Sequence, residues 1–181
     1  MGRQRFPGID VRVEQIALYD EVGSVELITS AIDADAALGS SSSLRRDSAS
    51  YATCHAAKVP MAPLDSVYRG HTGFIKIGVA GRERAILDGA VHTIRRCRPR
   101  LLVRIDDQGL EGALAFTCAY FNRLGYTGHF MHQGRLEPMA SFCRERTQRA
   151  AAGAPVYNFI FLPPDEPIST IRRISDRLAT L

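Results

Sequence analysis

The sequence predicts an α/β domain with a parallel sheet crossed by helices. Two observations carry that expectation. Between residues 74 and 163 the apolar pattern runs strand, helix, strand, helix, strand, which favours a parallel sheet with helical crossovers. A length of 181 residues, with 45% apolar and 23% charged residues, suits one globular domain with a substantial core.

The elements follow in order. "VRVEQIALYDEVGSVELIT", residues 11–29, holds two β-rich runs around Asp20, Glu21 and Gly23 and reads as a hairpin. Residues 33–50 are small, polar and serine-rich, a loop composition. "VPMAPLDSVY" then leads into a strand over 74–79. Ile86, Ala90, Ile94 and Cys97 recur at helical spacing, so one amphipathic helix is expected from Arg82 onward. "RPRLLVRID", residues 98–106, forms a strand begun by Pro99, and Leu110, Leu114, Thr117, Cys118, Phe121 and Leu124 mark a helix capped by Gly125. A hairpin turning at Gln133 and Gly134, a polar helix over 141–151, the strand "YNFIFLP" and a terminal helix through Ile168, Ile171, Ile174 and Leu178 complete the chain.

Composition narrows the function classes. The net charge of +4 falls short of the field expected of a dedicated nucleic-acid binder. Arginine outnumbers lysine 21 to 2 along the whole chain, so the arginine count by itself says little about phosphate recognition. Cys54, Cys97, Cys118 and Cys143 are dispersed, with no C-x-x-C pair and no signal segment at the start, which predicts a reduced, cytoplasmic protein. No apolar run reaches the roughly 20 residues of a membrane span.

The stretch "FIKIGVAGRERAILDGA…RPRLLVRID" resembles the FkbM-type family of S-adenosylmethionine-dependent methyltransferases, with the signature F-I-K-I-D-V-E-G-x-E-x-x-V-L-x-G-A and a following strand P-V-L-L-V-E-I. Phe74, Ile75, Lys76, Ile77, Val79, Gly81, Glu83, Leu87, Gly89 and Ala90 match, as do Pro99, Leu101, Leu102, Val103 and Ile105. The likeness extends from about Val11 to about Pro164. It implies a tail over 1–10, a methyltransferase portion over 11–165 and a C-terminal helix over 166–181. It further implies methyl transfer from S-adenosylmethionine to a hydroxyl oxygen of a small-molecule or glycan-like acceptor, with Lys76 and Glu83 near the substrate mouth as the surviving polar, candidate catalytic residues. The ordinary alternative is that Lys76 snorkels from a strand and Glu83 favours a helix N-terminus.

Three acids of the pattern are replaced: Gly78 stands for Asp, Ala80 for Glu and Arg104 for Glu. These positions should lie beyond the carboxyl ends of the strands, where α/β sheets bind ligands. Their loss removes acceptors for hydroxyls or for a sulfonium. No G-x-G occurs in the sequence, although a nucleotide-type cofactor needs such a turn after the first strand. The resemblance therefore implies an incomplete Rossmann-like methyltransferase domain, lacking the first two strands and the glycine-rich loop and inactive alone. In that sheet the first strand lies beside the strand matching 74–79, so its loss bares an edge. Either the strands of Val11 to Ile28 pair with that edge, or two copies join there as a homodimer, or an upstream polypeptide supplies the strand. A separate alternative is a non-catalytic pairing or regulatory protein that completes another subunit through this edge.

Other candidate sites are weaker. Arg95, Arg96, Arg98 and Arg100 could bind an anion or RNA, but cations in a last helical turn complement its dipole and no aromatic residues interleave. His129 and His132 point to opposite faces of a strand, and His55 beside Cys54 has no second pair to complete a tetrahedral set, so no metal site is expected. Cys54 as a nucleophile lacks an identifiable base.

Overall fold

The computed structural model describes residues 5–6, 8–30, 54–79, 81–105, 112–132, 135–143 and 156–178. The serine-rich loop expected over 33–50, Ala80, Leu110, the turn residues Gln133 and Gly134, and most of the helix expected over 141–151 lie outside them. The architecture is mixed α/β, built on a five-stranded and a three-stranded sheet.

The chain begins with a two-residue ladder of β1 (Arg5–Phe6) and β2 (Ile9–Asp10). The three-stranded sheet contains β3 (Ala17–Leu18), β4 (Gly23–Ser30) and β5 (Cys54–Ala62) in the order β3-β5-β4. The hairpin expected over 11–29 is therefore corrected. β3 and β4 do not pair with each other, because β5 enters between them, parallel to β3 and antiparallel to β4. β5 itself is missed by sequence reasoning, since "CHAAKVPMA" is poor in β-branched residues and contains Pro60. The sheet tolerates Pro60 for a geometric reason. The Tyr19 N–H donates to Ala62 C=O, so by alternation Pro60 faces the β3 side, where pairing starts only at Met61 and no donor is needed.

A short helix α1 (Leu64–Val67) leads to β6 (Phe74–Ile77), followed by α2 (Glu83–Asp88), α3 (Val91–Cys97) and β7 (Arg100–Arg104). The single helix expected from Arg82 onward is thus two helices, broken at Gly89 and Ala90. Two contacts explain the break. Gly89 lies against the Tyr19 carbonyl so closely that an added Cβ would stand 1.9 Å from its oxygen. The carboxylate of Asp65, from α1, accepts the N–H groups of His92 and Thr93 at 2.8 Å each and the Thr93 hydroxyl at 2.6 Å, capping α3 from outside its own chain segment.

Burial raises the pKa of Asp65, but the hydrogen bonds from Thr93 and His92 outweigh it and hold the carboxyl below the ordinary aspartate range. A carboxylate with a depressed folded pKa contributes stability above its unfolded pKa and loses it as pH falls through the folded value. Asp65→Ala is expected to cost about 1 to 2 kcal/mol at neutral pH. The difference from the parent should shrink in urea unfolding as pH falls below the ordinary aspartate range and the folded carboxyl takes up its proton. A constant difference across pH would assign the effect to packing.

The remaining elements are α4 (Ala113–Arg123), β8 (Thr127–His132), β9 (Arg135–Pro138) and, after a 3-10 turn at Met139–Ser141, β10 (Asn158–Leu162) and α5 (Ile168–Leu178). Gly125 follows α4 at φ +77°, as its C-cap role predicts. β8 and β9 pair antiparallel with His132 opposite Arg135, in agreement with the expected hairpin. Within the described part of 141–151, Ser141 ends the 3-10 turn and no α-helix is present.

The five-stranded sheet runs β6-β7-β10-β8-β9. Among the described strands of this sheet β6–β7 is the parallel neighbour pair, and β8, which runs in the same direction, is separated from β7 by β10, which corrects the parallel sheet predicted from the alternating pattern. β10 inserts between β7 and β8 and runs antiparallel to both, placing Phe159 and Phe161 in the core. Phe161 stacks on Phe121 with ring centroids 4.2 Å apart, and Tyr126 packs on Phe121 from another side at 5.3 Å. The return of β10 is held by Glu166, whose side chain is 3% exposed and receives Nε and Nη2 of Arg100 at 2.7 and 2.9 Å. That guanidinium keeps the Glu166 carboxyl below the ordinary glutamate range. The strands of Val11 to Ile28 do not pair with β6, which is an edge strand among the described residues. They form their own sheet instead, because β5 satisfies their backbone groups.

Candidate functional site

A cleft of about 540 Å³ opens between the end of β3 and the first turns of α2 and α4. Tyr19 and Asp20 form one wall, Gly81 to Ala85 the floor, and Gly112, Phe116 and Thr117 the other wall. Gly81 at φ +79° makes the turn that brings α2 to the cleft. Glu83, in the first turn of α2, is only 2% exposed, and its Oε1 accepts the Gly81 N–H at 3.0 Å. The carboxylate therefore staples the loop that carries it. Arg84 spans the mouth, with its guanidinium 4.8 Å above the Phe116 ring and its Nε 3.7 Å from Asp88.

Lys76 does not share this cleft. It lines a separate, largely apolar groove of about 260 Å³ beside β6, with Ile16, Leu18, Ile75, Ile77 and Leu101 among its neighbours. The two candidate catalytic residues are thus placed in different hollows, Glu83 in the cleft and Lys76 in the groove. Gly78 stands between the strand and the turn. A Cβ added there would lie 3.9 Å from the Lys76 Cε and 4.0 Å from its Nζ, so an acid at this position would sit beside the ammonium. Among the described residues no acid forms an ion pair with Lys76. Arg104 ends β7 with its guanidinium over the Tyr157 ring at 5.5 Å.

Three of the four arginines of the 95–100 cluster are engaged in the structure. Arg96 donates to the Gly70 carbonyl at 2.9 Å, Arg98 lies 3.8 Å from Asp165 and Arg100 is clamped to Glu166. His129 and His132 lie on β8, and His132 Nδ1 lies 3.4 Å from Glu137 Oε1. Burial pushes the His129 pKa down, and among the described residues its Nδ1 has no hydrogen-bond partner. Cys54 and His55 belong to β5, with side chains outside the described ones. Among the described residues no group of three or more His, Cys, Asp or Glu could hold a metal ion. No described helix is long and apolar enough to cross a membrane.

Sequence reasoning found Glu83 through the signature but missed Tyr19, Asp20, Arg84, Phe116 and the capping role of Asp65. Nothing local distinguishes these residues, because their positions depend on how the two sheets dock.

A parallel β6–β7 pair, with a turn and helix after the first strand and a cleft at that turn, is consistent with a methyltransferase-like α/β domain. The family model for the methyltransferase FkbM domain matches residues 4–127, more than half of the chain, and the chain belongs to that family. No curated protein and no solved structure matches it.

Proposed function

We propose that this chain derives from S-adenosylmethionine-dependent O-methyltransferases and does not transfer methyl groups by itself. The observation that carries the reading is the state of the polar signature residues. Glu83 is buried and bonded to its own loop, while Lys76 lies in another hollow with Gly78 where an acid would stand beside it. A sulfonium and a ribose call for carboxylate or hydroxyl acceptors at close range. The groove beside β6 offers Lys76 among apolar side chains and no carboxylate, so that groove does not fit the cofactor. The acceptor in this reading is a hydroxyl-bearing small molecule or glycan, and the setting is cytoplasmic, in keeping with the dispersed cysteines.

Calorimetric titration of the folded chain with S-adenosylmethionine is expected to give no saturable heat. Binding at about micromolar strength, near 8 kcal/mol, would overturn the reading and make Lys76 and Glu83 the first residues to replace.

A second reading, a non-catalytic subunit that pairs with another protein, is favoured by one specific observation. β6 is an edge strand with Phe74 58% exposed.

A further inference from the structure

The open side of β6 can be assigned group by group. The Arg100 N–H donates to Gly73 C=O at 3.1 Å, and the parallel register pairs Phe74 with Arg100 and Lys76 with Leu102. Alternation then turns the N–H and C=O of Ile75 and Ile77 toward β7 and those of Phe74 and Lys76 toward the open edge. No described strand meets them.

The groove beside this edge is largely apolar, and the hollow next to it mixes apolar side chains with the Arg12–Glu14 ion pair. The groove beside β6 shares Ile16, Leu18 and Leu64 with a second hollow of about 640 Å³ lined by Val67 and Tyr68. Among the described residues the exposed large apolar side chains are Val13, Val22, Val67, Tyr68 and Phe74. Val67 and Tyr68 line the second hollow, Val13 lies between its lining residues Arg12 and Glu14, and Phe74 begins β6. Backbone groups that meet no described strand, beside a largely apolar groove, fit an extended strand, which supplies both main-chain bonds and alternate side chains.

Charge selects the occupant. Lys76 is the ionisable residue of β6, on the sheet face opposite Ile75 and Ile77. A second copy would bring the strand Phe-Ile-Lys-Ile, with no acid to oppose Lys76, and another net charge of +4. We propose that the outer edge of β6 docks one extended strand of a different polypeptide, with an acidic residue opposite Lys76 and apolar residues over the Ile75 and Ile77 groove. This inference stands apart from the methyl-transfer reading.

The test uses the full chain and capped synthetic peptides of about six residues, the usual strand length. One alternates valine and glutamate, a second has lysine for glutamate, and a third is the glutamate peptide N-methylated at alternate residues. Exchange of the Phe74 and Lys76 amides is read by NMR, with Ile75 and Ile77 as internal references for an intact β6–β7 pair. The glutamate peptide is expected to slow the two edge amides, the lysine peptide to bind up to about fivefold more weakly, and the N-methylated peptide to leave them fast. Lys76→Glu should reverse the preference between the first two peptides. Equal protection by the N-methylated peptide would reduce the surface to an unspecific apolar patch and sink the proposal. Edge amides already as slow as Ile75 and Ile77 without peptide, whether in a monomer or a dimer, or edge amides left fast by every peptide, would sink it equally.

Discussion

Gly89→Ala is expected to destabilise the chain by about 3 kcal/mol, at the upper end of overpacking costs. On a helix read from sequence the opposite sign follows, since alanine in place of a helical glycine stabilises by about 1 kcal/mol. The backbone at Gly89, φ −76° and ψ −5°, is one that alanine adopts without strain, so the conformation itself raises no objection. The objection lies in what surrounds it. A Cβ would meet the Tyr19 carbonyl oxygen at 1.9 Å, its carbon at 2.8 Å and the Pro63 Cα at 3.2 Å. All three are backbone atoms and cannot yield by changing rotamer. The same region carries the Asp65 N–H bond to Gly89 C=O and the Asp65 cap on α3, so a shift there should loosen both. Gly23→Ala provides a control, because its Cβ would meet the flexible Met61 Cε at 3.0 Å. Urea midpoints of the two variants decide the matter. A Gly89→Ala protein as stable as the parent, or more stable, would mean that the three-stranded sheet does not dock on the α2–α3 junction as described.

Phe121→Ala is expected to cost about 3 to 5 kcal/mol, the range for removing a buried aromatic ring. Phe121 is fully buried on α4 and touches three other rings: stacked on Phe161, edge-on to Tyr120 at 5.3 Å and tilted against Tyr126 at 5.3 Å. Its loss opens a cavity between α4 and β10 that rigid neighbours can only partly close. Against a typical total of about 5 to 15 kcal/mol, such a loss brings the domain close to unfolding. Tyr126 reports on the change. Burial raises its hydroxyl pKa to about 12, and the hydroxyl donates to Pro99 C=O at 3.1 Å. Alkaline titration of tyrosine absorbance in Phe121→Leu, the milder variant, should therefore show a lower apparent pKa if the cavity admits water. A shallow loss below about 1 kcal/mol for Phe121→Ala would place the ring outside the core.

Much of the five-stranded sheet was legible locally. Phe74 to Ile77, Arg100 to Arg104 and Asn158 to Leu162 are short apolar runs bounded by glycine or proline, and strands of this length follow from composition alone. The α4 stripe through Thr117 and Phe121 and the cap at Gly125 were equally readable. Neighbour relations were not. The order β3-β5-β4 requires Cys54–Ala62 to enter between two strands that adjoin in sequence, and its weak β composition gives no local hint of that role.

The same division holds at the candidate site. The signature located Glu83 and the loss of an acid at Gly78, because family motifs are written in spacing. Spacing could not reveal that Glu83 binds its own loop, that Arg84 covers Phe116, or that Lys76 faces a different hollow. By itself, then, the sequence determined the period of α4 and of the strands β6, β7 and β10, the turns at several glycines and prolines, and the family. Only the tertiary structure decided the break at Gly89, the cap by Asp65, the antiparallel insertion of β10 and the entry of β5 between β3 and β4. Local propensity is set by residues within one or two turns of each other, whereas these four features depend on atoms brought together from distant segments, where steric contact and hydrogen-bond satisfaction override it.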